Sequence, residues 1–224
     1  MELRKRPELV EVHSIVGGEV DAKNIIGLDG GTYRLDNIIT VCGLNYCIMT
    51  AFQDDRSLCR KVYKINDKVL IGATGTFNME ENPLDPLIGT HSKSISLEET
   101  TKAVENYLID KRIDVSVAPD RKYIIAGREY DGQFCIVSVE FANEYKELRR
   151  RVFRPSAESI ATAVSMSKYL GEHASEFFNE FKSKLLKCND AGELRRYVEG
   201  LVLSESDTHG WPQVSLGIET KIIL

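Results

Sequence analysis

The stretch Lys68 to Asn78, KVLIGATGTFN, holds the residue types from which a phosphate cradle or an oxyanion site is made. Glycine lets a backbone N–H approach a charged oxygen that a side chain would keep away. An apolar run that breaks into Gly72-Ala73-Thr74-Gly75 can open a nucleotide-binding turn, so a nucleotide-binding enzyme at Gly72 and Gly75 is one function to weigh. Such a turn needs a helix N-terminus directly behind it. The following TFNMEENPLDPLIG contains Pro83 and Pro86 and has no helical apolar stripe, so that helix is not expected. The glycine spacing is G-x-x-G, not G-x-G-x-x-G, and no Lys-Ser or Lys-Thr follows.

Other chemistry-bearing residues are sparse. His13, His91, His173 and His209 lack H-x-x-x-H spacing and have no nearby cysteine pair, so neither a metal nor a cofactor is expected. Cys42, Cys47, Cys59, Cys135 and Cys188 are odd in number and show no C-x-x-C spacing, which suits free thiols in a reducing compartment. The basic cluster KELRRRVFR, Lys146 to Arg154, encloses Val152 and Phe153 and follows a strand-like run. It reads as a solvated strand edge or subunit contact ahead of a phosphate site.

The elements that must position these residues follow from apolar period and turn chemistry. NIITVCG and YCIMTAF flank Gly43-Leu44-Asn45, and RKVYKI and KVLIGA flank Asn66-Asp67, the composition of two antiparallel hairpins. SLEETTKAVENYLIDKR opens with Ser96 and Glu99 as a capping box and shows Leu97, Val104 and Leu108 on one helical face. KYIIAG and QFCIVSVEF flank Tyr130-Asp131-Gly132, another hairpin signal. Ser156 to Leu186 carries Ile160, Val164, Phe177, Phe178, Phe181 and Leu185, which predicts two helical pieces around Gly171. Asp190 and Glu193 cap a last helix bearing Leu194, Tyr197, Val198 and Leu201, and QVSLGIETKIIL is strand-like. Strands, helix, strands, helices and strands make an α+β pattern, not an alternating βαβ one.

The whole chain bounds the function. Its 224 residues fit one large domain, with residues 1–36 as an irregular Gly- and Asp-rich leader and the ordered body from 37 to 224. A net charge of −5 gives no footprint for nucleic acid. No run approaches the length needed to cross a bilayer, and MELRKRPELVEV lacks a signal-peptide core, so no membrane partner and a cytoplasmic location are expected.

Read together, NIITVCGLNYCIMTAFQDDRSLCRKVYKINDKVLIGATG resembles the opening sheet of a proteasome beta-type subunit, of the N-terminal-nucleophile hydrolase superfamily. The matching residues are Ala51, Lys61, VYKIND at Val62 to Asp67, and Gly75. The likeness extends through IIAG…DGQFCIVSVEF and DTHGWPQVSLGIETK, where His209 stands in the Ser place of a Ser-Gly-Trp turn. The resemblance implies a four-layer αββα sandwich with two mainly antiparallel sheets, and other proteasome-type subunits in a ring as partners. A eukaryotic member would also be nuclear.

In active members an N-terminal Thr is the nucleophile, a Lys and an Asp help manage its proton, and a backbone N–H at the Gly-rich turn stabilises the oxyanion. Lys61 and Gly75 match the Lys and glycine positions. Aligning the Gly43 turn without gaps puts Asp36 or Asn37 at the nucleophile position and Phe52 at the Asp position, with Asp54 and Asp55 close behind. The expectation is a non-catalytic beta-type subunit with a structural role in protein degradation. The alternative is a self-processing threonine hydrolase using Thr32, which follows Gly30-Gly31, with Lys61 and Gly75. Trp211 serves core packing or a subunit contact.

Overall fold

A computed structural model describes residues 32–35, 38–52, 61–78, 81–90, 93–111, 121–142, 147–165, 184–188, 190–209 and 218–224. β1 (Thr32–Leu35), β4 (Val62–Lys64), β5 (Val69–Asn78), β6 (Lys122–Arg128), β7 (Phe134–Ala142) and β8 (Glu147–Phe153) form a six-stranded sheet. β2 (Ile38–Gly43), β3 (Tyr46–Phe52), β9 (Ala161–Ser165) and β10 (Ile218–Ile223) form a four-stranded one in the order β10-β3-β2-β9. Every described strand pairing is antiparallel. The helices α1 (Leu97–Lys111) and α2 (Ala191–His209) stand apart from the strands in sequence, so the class is α+β as expected.

Local chemistry accounts for the main elements. Leu44-Asn45 joins β2 to β3 as a two-residue turn, with Gly43 opposite Tyr46 and Ile38 opposite Ala51. β2 is buried along its whole length, which explains its continuous β-branched composition. The capping box of α1 forms in both directions: Glu99 N–H donates to Ser96 Oγ at 3.2 Å, and Ser96 N–H donates to Glu99 Oε2 at 2.8 Å. In α2 the Asp190 carboxylate accepts from the Glu193 N–H at 2.7 Å.

Three apolar clusters hold these elements together. Leu97, Val104 and Leu108 of α1 pack on Val69, Ile71, Tyr123 and Ile125 of the six-stranded sheet. The opposite face of that sheet, with Leu70, Ile124, Ala126 and Ile136, meets Ile38, Cys42 and Met49 of the four-stranded sheet. Leu194 and Val198 of α2 meet Ile39, Val41, Tyr46 and Ile48 on the remaining face. Each such large apolar side chain contributes about 1.5–3 kcal/mol on burial.

The structure departs from the sequence reading in three places. Ala161–Ser165, expected within a helical segment, is strand β9 and pairs with β2 from Ile38 opposite Ser165 to Cys42 opposite Ala161. The four-residue spacing of Ile160 and Val164 mimics a helical stripe, but an open edge of β2 recruits the run as a strand. The stretch 166–183 lies outside the described residues.

Thr32–Leu35, read as the end of an irregular leader, is strand β1, paired with β5 from Thr32 opposite Asn78 to Leu35 opposite Gly75. Cys42 and Cys47, expected as free thiols, form a disulfide with their Cα atoms 4.2 Å apart. The two-residue turn makes them cross-strand partners, an approach that cysteine spacing alone does not reveal. Cys135 and Cys188 are free and buried, and Cys59 lies outside the described residues.

Candidate functional site

Gly75 sits inside β5, where a turn was expected; the strand runs on to Asn78. Its φ of 109° is a conformation that L side chains rarely adopt, so only glycine holds it without strain. Lys61 precedes β4 and is 1% exposed. Its carbonyl accepts from the Ala73 N–H at 3.2 Å, which ties the lysine to the strand that carries Gly75.

Thr32 is not opposite that glycine. Leu35 is, and Thr32 falls three positions farther along the ladder. At ~3.3 Å per residue the two backbones are ~10 Å apart, whereas a nucleophile and an oxyanion donor must each approach one carbonyl to about 3 Å. Asp36, Asn37, Asp54, Asp55 and Trp211 lie outside the described residues, as do the side chains of Thr32, Phe52 and His209.

Arg121 clamps the strand beyond Gly75 from the α1 side. Its Nε donates to the Thr76 carbonyl at 2.9 Å, and its guanidinium lies 4.6 Å from the Phe77 ring centroid. It also forms an ion pair with Glu81 and donates to the Tyr107 hydroxyl at 3.2 Å. Lys111, at the end of α1, reaches the same carboxylate at 3.0 Å, and this contact raises its pKa.

On the other face, a polar cluster that sequence reasoning missed adjoins Gly75. The Ser165 hydroxyl, on β9, reaches Thr74 Oγ1 at 3.0 Å and so links the two sheets. Thr74 is the cross-strand partner of Lys122, and Lys122 that of Glu140. Lys122 is 5% exposed, and burial pushes its pKa down from 10.5 to about 8. Strand alternation was the available signal, because Lys122 shares a face with Ile124 and Ala126.

The depressed pKa has a pH consequence. Below pH 8 the folded and unfolded chains both hold the Lys122 proton, and the full cost of burying an ammonium stands. Between about pH 8 and 10.5 only the unfolded chain holds it, so stability rises with pH through that window. Lys122→Met is expected to be more stable than the unaltered chain near neutral pH by up to about 3 kcal/mol and to converge with it above pH 10.5. Urea unfolding at several pH values checks this, and a difference that stays constant with pH would contradict it.

The nucleotide expectation finds no support in this geometry: Gly72 and Gly75 both lie within β5, and a short 3-10 turn, Asp85–Leu87, is the next described element. Most of the basic cluster lies on edge strand β8, where Arg150 pairs with Glu98 at 2.7 Å and Arg151 with Glu140 at 3.8 Å; Arg154, just after the strand, pairs with Glu129 at 2.7 Å. These arginines are committed to carboxylates and do not form an open phosphate site. Among the described residues no three His, Cys, Asp or Glu side chains are grouped to hold a metal, and no helix is long and apolar enough to cross a membrane. No protein-family model matches the chain, and no curated protein matches it either.

Proposed function

We propose that the chain is a non-catalytic subunit of the proteasome beta type, or a close relative, with a structural role in a peptidase ring for protein degradation. Its partners are other proteasome-type subunits, in the cytoplasm and, in a eukaryote, the nucleus. The architecture adopted for this reading is a four-layer αββα sandwich. The succession of apolar clusters, from α1 to the first sheet, between the sheets, and from the second sheet to α2, supports that layering.

The observation that carries the non-catalytic part is the register of β1 on β5. It brings Leu35, which has no nucleophilic atom, opposite Gly75 and leaves Thr32 opposite Asn78. Lys61, which would assist a nucleophile in an active relative, remains as a buried charge next to β4.

Intact-mass measurement of the purified chain tests this reading. The expected result is the full 25.2 kDa, with the leader retained. A product that begins at Thr32 would overturn it in favour of the self-processing hydrolase. Light scattering after co-expression with beta-type subunits tests the ring role, where a strictly monomeric chain counts against it.

A further inference from the structure

The disulfide between Cys42 and Cys47 lies one rung inside an exposed turn. Leu44 and Asn45, at the tip of the β2–β3 hairpin, are exposed; Gly43 and Tyr46 form the first rung, and Cys42 and Cys47 the second. Both cysteines are 0% exposed. They pack with Phe134 and Ile136 of β7 between the sheets, and their sulfurs lie 3.8 and 4.0 Å from the Cys135 carbonyl oxygen.

The first rung separates the sulfurs from the tip, and it is held from the opposite face. The Tyr46 ring lies across Gly43, where an added Cβ would come within 2.5 Å of it. The Tyr46 hydroxyl donates to the Leu185 carbonyl at 2.8 Å, and Leu185 belongs to the cluster between α2 and the four-stranded sheet. No free thiol among the described residues offers an internal route to the bond. Cys135 turns to the α1 side of its sheet, where burial pushes its pKa up to about 12, and Cys188 lies on the α2 side of β2 and β3.

We infer that Cys42 and Cys47 form a redox switch that an external dithiol reaches only when the hairpin end opens, with Tyr46 as its latch. A thiolate of the dithiol attacks one cysteine sulfur; the S–S bond breaks, a mixed disulfide forms, and the other cysteine leaves as a thiolate that takes up a proton. The second thiol of the reductant, after losing its proton, displaces the first cysteine and closes the reductant's own disulfide. Two electrons thus pass to the cysteine pair. Each freed S–H has the Cys135 carbonyl oxygen as its acceptor, so the fold accommodates both states and loses only the covalent pin at the end of the hairpin. The inference does not depend on the proposed ring role.

Timed reduction of the oxidised full chain tests this. Dithiothreitol is added at several urea concentrations below the unfolding transition, samples are alkylated in denaturant, and peptide mapping reads Cys42 and Cys47. The expected rate is far below that of the unfolded chain and depends only weakly on urea, as an opening that exposes little surface requires. Tyr46→Phe, which keeps the ring and removes the bond to Leu185, is expected to speed reduction about fivefold, the shift that one lost hydrogen bond gives to the opening equilibrium. A urea dependence as steep as that of global unfolding overturns the hairpin route, and an unchanged rate in Tyr46→Phe overturns the latch. Reduction of the native chain as fast as that of the unfolded one, or an air-oxidised chain without the Cys42–Cys47 bond, overturns the switch.

Discussion

Replacing Glu81 with leucine is expected to destabilise the fold by about 3–5 kcal/mol, because it strands a buried guanidinium. The Arg121 side chain is 1% exposed and that of Glu81 9%, so water cannot replace the lost partner. The carboxylate meets Arg121 through both oxygens and also takes Lys111 from the end of α1. One substitution therefore removes the counterion of two cations. Urea unfolding reads the loss as a lower midpoint at unchanged slope.

A second arm separates the ion pair from the packing around it. The double replacement Glu81→Leu with Arg121→Met removes the stranded charge and is expected to recover most of the loss, since buried pairs exchanged for apolar side chains of similar volume are often neutral. A double variant as unstable as the sum of the two single ones would contradict this account. The Arg121 bond to the Thr76 carbonyl is also lost in the double variant, which limits the recovery by about 1 kcal/mol.

Gly127→Ala is expected to cost about 3 kcal/mol or more, by steric exclusion instead of lost charge. A Cβ on Gly127 would lie 2.2 Å from the Lys68 carbonyl oxygen, and that oxygen is backbone. The same carbonyl accepts from the Arg128 N–H at 3.2 Å, so moving it away breaks the link between β6 and the bend before β5. Gly200→Ala in α2 is the control: nothing lies within 4 Å of its added Cβ, and the change is expected to stabilise by about 0.5–1 kcal/mol. Matched unfolding curves check both, and equal effects of the two alanines would refute the steric argument.

What the sequence disclosed depended on the range of the interaction. Ser96 with Glu99 and Leu44-Asn45 between β-branched runs act within a few residues, and both read correctly as a helix start and a hairpin. β9 did not, because five residues with a helix-like spacing became a strand only by meeting β2, more than a hundred residues earlier. The candidate site divided the same way. Gly75 was identifiable from its local motif, whereas the Lys122 row and the Arg121–Glu81 clamp exist only once β5, β6 and β7 are in register. The Cys42–Cys47 bond lies between these cases: the turn that pairs the two residues was visible, but composition favoured free thiols.

β1 belongs to the six-stranded sheet and β2 to the four-stranded one, and the chain passes from Leu35 to Ile38 between them. Three residue steps reach at most ~11 Å, close to the ~10 Å at which packed sheets lie face to face. The covalent chain thus caps the distance between Leu35, the partner of Gly75, and Ile38. However the two sheets breathe elsewhere, that pair of residues cannot part beyond this reach while the peptide bonds between β1 and β2 stay intact, and a single cut there would remove the limit.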